Sequence, residues 1–213
     1  MEVRNLVDTV GELSPARRWD DPMVLVALAA IVVGALWLGS LVVPRAPSET
    51  SAEVGFARDM SVHHAQGVGL AELIRSRTTD AEVRTLATDI ALAQQAQIAR
   101  MSGWLQAWGV EPTGSGHAME WMDHPTNAPM PGMATPADLA SLGSLGSAGS
   151  GEMEVSFLRL MIRHHRGGVL MARAVLARTD HPKVATLARA VVAAQRAEVA
   201  AMDQMLLARA RRR

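Results

Sequence analysis

The chain has 213 residues, 49% hydrophobic and 20% charged, and its 21 Lys and Arg balance its 21 Asp and Glu. A net charge of zero removes the electrostatic argument for nucleic acid as a partner. The absence of cysteine excludes a disulfide framework, a thiolate metal site and a thiol nucleophile, leaving His, Met and carboxylate as side-chain ligands.

Residues 1–21 form a polar tail with Arg4, Arg17 and Arg18, expected to be cytoplasmic. Residues 22–43 are apolar and uncharged. At 1.5 Å per residue the stretch from Met23 to Val43 reaches about 32 Å against a hydrocarbon core of about 30 Å, which predicts an uncleaved transmembrane helix. The arginines before it place the N-terminus in the cytoplasm and everything beyond Pro44 outside, as a single-pass protein of the cell membrane.

A Pro/Ser linker at 44–51 leads to a first helical hairpin at 52–109. Its first helix carries Phe56, Met60, His63, His64, Gly67, Ala71 and Ile74 at helical spacing and ends near Arg77. Thr79 with Glu82 reads as a capping box opening the second helix, whose apolar stripe is broken by Gln94 and Gln97 before Gly109. A Met/Gly/Pro-rich crossover follows at 110–150, with His117, Met119, Met122, His124, Met130 and Met133. Within it Thr135-Pro136-Ala137-Asp138 predicts the cap of a short helix, and Gly143 to Gly151 predicts a flexible stretch. A second hairpin occupies 151–210, with Asp180 before Pro182 opening its second helix. Residues 52–210 are expected to form one domain.

The two hairpins are copies. Met60, His63, His64, Gly67 and Ala71 recur about a hundred residues later as Met161, His164, His165, Gly168 and Ala172, and about 20 of the 50 positions from Phe56 to Leu105 match their counterparts. Four amphipathic helices in two hairpins with a long connection fit an all-α, ferritin-like four-helix bundle, preceded here by one transmembrane helix. The shared methionine, histidines, glycine and alanine fall on one helix face, within about ±60° of one direction, where a core should be. Buried imidazoles need partners, and a soft or borderline metal ion is one that imidazole and thioether can share. Antiparallel packing sets His63 and His64 level with Gln94 and Gln97, and Met60 level with Met101. It sets His164 and His165 level with Gln195 and Glu198, and Met161 level with Met202. Glu53 and Glu154 lie about 15 Å before the histidines of their own helices, too far to share one ion, and are expected as caps or outer residues.

Phe56-x-x-x-Met60-x-x-His63-His64, its copy from Phe157 to His165, Gln94-x-x-Gln97-Ile98-x-x-Met101, Gln195-x-x-Glu198-Val199-x-x-Met202 and Met130-Pro131-Gly132-Met133 together resemble the domain-of-unknown-function 305 family, over about Glu53 to Leu206. The resemblance implies a ferritin-like bundle, often exported or anchored, with members that bind copper through His and Met. Carried over, it points to Met60, His63, His64, Met161, His164 and His165 as metal ligands, supported by Met101 and Met202. Glu198, the one acid in the inner set, is also an expected metal-site residue, and the first repeat has Gln97 in its place.

The expected function is a membrane-anchored extracytoplasmic protein of copper binding and homeostasis, with a metal ion as its partner. Two alternatives stand beside it. One is a ferritin-like di-metal oxidoreductase, for which the chain is short of the carboxylates that such iron sites use. The other is a structural or partner-binding bundle without metal. If the imidazoles are ligands, protons should compete with the metal near the ordinary histidine pKa of about 6.5.

Overall fold

The structure, a computed structural model, describes residues 22–42, 46–114, 116–124, 126–145 and 151–211, with the side chains of 27 and 35–42 left out. The tail expected at 1–21 and the Gly/Ser stretch at 146–150 lie outside the described residues. The chain divides into two units, residues 1–46 and 47–213.

The first unit contributes one helix, α1 (Pro22–Val42), with proline at its start. Its Met23, Leu25, Val26, Ile31, Val32 and Val33 are exposed. Among the described residues no helix is long and apolar enough to cross a membrane, the side chains of α1 being described only as far as Gly34. The expected anchor therefore rests on the sequence.

The second unit is helical: α2 (Ala52–Arg75), α3 (Ala81–Trp108), α4 (Pro136–Ser144), α5 (Gly151–Leu176) and α6 (Pro182–Ala210), with a short 3-10 turn at Glu120–Met122. Ser51 caps α2 through the Val54 N–H. Asp80, rather than Thr79, caps α3, its carboxylate accepting from the N–H groups of Glu82 and Val83. His181, one residue beyond the expected Asp180, stands before α6 and supplies no side-chain cap. Gly109 ends α3 at φ 69°, where a side chain would be strained. Thr135 and Asp138 form the expected capping box of α4.

Helices α2 and α3 form one hairpin, α5 and α6 the other, and the two join through α2 against α5. Val54, Phe56 and Met60 from the start of α2 share an apolar cluster with Met171, Ala172 and Val175 from the end of α5. Leu70, Ala71 and Ile74 from the end of α2 share the other with Met153, Phe157 and Met161 from the start of α5. The two central helices are therefore antiparallel, and each copy completes the core of the other.

Reciprocal polar contacts lock this arrangement. The Thr78 hydroxyl donates to Glu154 and the Thr179 hydroxyl to Glu53, each at 2.6 Å, tying the hairpin turn of one repeat to the first helix of the other. Glu154 is thus buried, contrary to the outer position expected for it, because Thr78 and Arg209 satisfy its carboxylate.

The crossover is packed rather than loose where it is described. The Asp59 carboxylate accepts from the Met119 N–H and the Trp121 indole N–H, both at 2.8 Å, and the Trp121 ring lies against Gly55. Met119, Met122 and Met130 are buried in the Phe56 cluster. Gln66 donates to the Ala134 carbonyl at 2.9 Å and accepts from its N–H at 2.6 Å. Gly132, at φ 75°, and Gly167 let the crossover backbone press on α5, since a Cβ on Gly167 would strike the Pro131 carbonyl. Glycine here permits close approach of two backbones.

Gly167→Ala should accordingly lower unfolding stability by about 1–3 kcal/mol, since backbone must move to admit the methyl. Gly103→Ala in α3, where a Cβ would meet nothing within 4 Å, should raise it by about 0.5–1 kcal/mol. Urea unfolding of the two variants against the parent chain measures both.

Candidate metal centre

His63, His64, His164 and His165 are fully buried in a layer between the two apolar clusters. Successive helix positions diverge by about 100°, so neighbouring rings in one helix stand apart, with centroids 6.2 Å apart in α2 and 6.1 Å in α5. Across the helices the His63 and His164 rings lie 3.9 Å apart, tilted by 33°.

Every ring uses the same nitrogen. His63 Nε2 donates to the Pro131 carbonyl at 3.1 Å and His164 Nε2 to the His63 carbonyl at 3.0 Å. His64 Nε2 meets Gln97 Oε1 at 2.6 Å and His165 Nε2 meets Glu198 Oε2 at 2.7 Å. Carbonyls and carboxylates only accept, so Nε2 carries a proton, and in the neutral imidazole Nδ1 presents a bare lone pair. All four Nδ1 atoms are buried without a hydrogen-bond partner in the protein. The side-chain amides of Gln94 and Gln195, buried at the same level, also lack partners. Gly67 and Gly168 make room there: a Cβ on Gly67 would strike Gln94 and His164, and one on Gly168 would strike Gln195.

Met60 and Met101 are packed in one flanking cluster, Met161 and Met202 in the other, all fully buried. Glu198 stands at the rim, its side chain 23% exposed. Among the described residues no three His, Asp or Glu side chains are grouped so as to hold an ion. A site here has to combine imidazole with thioether or amide. The role of Pro131 was not foreseen. Its trace in the sequence is a break in the repeat, where Gln66 and Gly167 occupy matching positions and both hold the crossover.

The model of the family described as Domain of unknown function (DUF305) matches residues 53–206. The chain belongs to this family. A DUF305 protein of Streptomyces coelicolor, described as secreted, is 42% identical with a TM-score of 0.72, over 76% of this chain and 96% of that one. A DUF305 fragment from Deinococcus radiodurans is 38% identical with a TM-score of 0.63, over 76% and 98%. CopM in its Cu(II)-bound form shares the fold at 24% identity and a TM-score of 0.56, over 74% and 96%. No curated protein matches the chain.

Burial dominates the electrostatics of this DUF305 layer. It lowers His63 to about 4, partly opposed by the Pro131 carbonyl, and lowers His64 to about 3, with help from the neighbouring His63. His164 is held well below its ordinary value by burial and then by His63. The proton competition expected near 6.5 is therefore displaced downward. An unfolded histidine titrates near about 6.5, so below that pH the unfolded chain takes up protons that the fold refuses. Stability is fully present above pH 6.5 and is lost as pH falls through about 4 and 3, the folded values of His63 and His64. With a chelator present, the urea midpoint should fall between pH 7 and 4.5, and less steeply in His64→Gln.

Proposed function

We propose that this DUF305 chain binds copper on the extracytoplasmic side of a membrane, as cargo to be buffered or passed on. The observation that carries the reading is the set of four buried Nδ1 lone pairs without a protein partner. Leaving one such group unsatisfied costs about 1–3 kcal/mol, so a layer of four calls for an occupant. Imidazole suits copper in both oxidation states and thioether favours the reduced ion, and Met60 and Met161 lie one turn before the histidine pairs. The candidate ligands on this reading are His63, His64, His164 and His165 with Met60 and Met161, supported by Met101 and Met202, with no more than two of the histidines on any one ion. Glu198 orients His165 as carboxylates orient metal-bound histidines elsewhere. The likeness to CopM, whose Cu(II)-bound form shares the fold, agrees with this choice of ion.

The extracytoplasmic setting is supported by the Streptomyces relative described as secreted and by Arg17 and Arg18 before the apolar run. The anchor is supported by the uncharged sequence of α1 and its exposed apolar side chains.

At pH 7.5 the ion-free parent should take up copper(I), and the double variant His63→Ala with His164→Ala should lose most of that uptake while keeping its helical circular dichroism. With His63 and His64 neutral down to about 4 and 3, the parent should bind nearly as much at pH 5. Unchanged uptake by the double variant would move the site off the histidine layer. Protease added to spheroplasts should remove the bundle, and full protection would reverse the topology.

A further inference from the structure

The histidine layer is closed differently on its two sides. Positions 55, 59 and 66 of α2, which hold the crossover, lie on the face roughly opposite His64. That side is sealed by backbone: the Pro131 carbonyl accepts from His63, Gly132 and Gly167 touch with no room for a Cβ, and Gln66 is bonded twice to Ala134. Opening it means lifting a segment of chain.

The other side is the seam between α3 and α6. The closely packed pairs are α2 with α3, α5 with α6 and α2 with α5, and α3 with α6 is not among them. Arg100 and Trp104, one and two turns after Gln97 on α3, face Lys183 and Thr186 of α6 across this seam. Gln97 and its counterpart Glu198 are half-buried, whereas the histidines, Gln94 and Gln195 behind them are buried. Between solvent and His64 stands the Gln97 side chain, and between solvent and His165 the Glu198 side chain. These two move by rotamer changes, which are far faster than local opening of backbone.

We propose that the ion reaches the histidine layer through the α3–α6 seam, past Gln97 and Glu198, and not beneath the crossover. The proposal rests on the copper-binding reading. The amide and carboxylate at the rim offer oxygen to a cation that is shedding water, and Glu198 adds a negative charge that its counterpart Gln97 lacks. The half of the seam belonging to the second repeat is therefore the side at which a cation is first captured.

The chain has no cysteine, so a single one can be placed and modified after folding. Ala194→Cys puts it one turn before Glu198 on the same side of α6, and Leu92→Cys, at a position 62% exposed on α3, serves as control. Each variant is alkylated with either small iodoacetamide or a bulky maleimide, and uptake of copper(I) from its bicinchoninate complex is followed by stopped flow. The bulky group at 194 should slow uptake at least tenfold relative to the small group, with the same final stoichiometry, and should leave the rate unchanged at 92. Equal rates for both groups at 194 would overturn the seam as the route while the copper reading stands. No uptake by any form, the parent included, would overturn the copper reading and the route with it.

Discussion

Everything in this bundle is arranged about the burial of four imidazoles between two apolar clusters. Removing a polar ring from water is costly unless its hydrogen-bonding groups are met. Each ring here has one nitrogen met, by a carbonyl, an amide or a carboxylate, and one left bare. The met nitrogen fixes tautomer and orientation. In His63, His64 and His164 burial disfavours protonation of the bare one. A nitrogen that stays unprotonated over a wide pH range is what a metal ligand requires.

Duplication explains how such a layer can be built without losing the fold. Because α2 and α5 run antiparallel, the apolar start of one copy lies beside the apolar end of the other, and the polar middles coincide. The same exchange appears in the paired bonds of Thr78 to Glu154 and Thr179 to Glu53. Each repeat alone would lack the ring that lies against its His63 or His164 and would leave its carboxylate without a threonine partner.

The departures from symmetry are as informative as the symmetry. Gln66 in one copy and Gly167 in the other hold the crossover by opposite means, a pair of side-chain hydrogen bonds and the absence of a side chain. Gln97 and Glu198 make the same contact to the neighbouring histidine but differ in charge. Asp80 caps its helix, while His181 at the matching position does not, and proline takes the first turn instead.

Helix positions, the duplication and the inward direction of Met60, His63, His64 and their copies were legible in the sequence, because helical periodicity is local and repeats can be compared residue by residue. So was the level at which His64 meets Gln97 and His165 meets Glu198, since a short turn between antiparallel helices sets that register. The short helix in the crossover was legible from Thr135 and Asp138, but the crossover's packing was not: only the close approach of Gly132 to Gly167 shows what these glycines permit. Nor could the burial of Glu154 be foreseen, because its partner Thr78 lies in the other repeat. What the sequence determined by itself was each helix and the face it would bury. Which nitrogen of each histidine is engaged, and which side of the layer is sealed, was decided by contacts between segments far apart in the chain, and those exist only once the tertiary structure has formed.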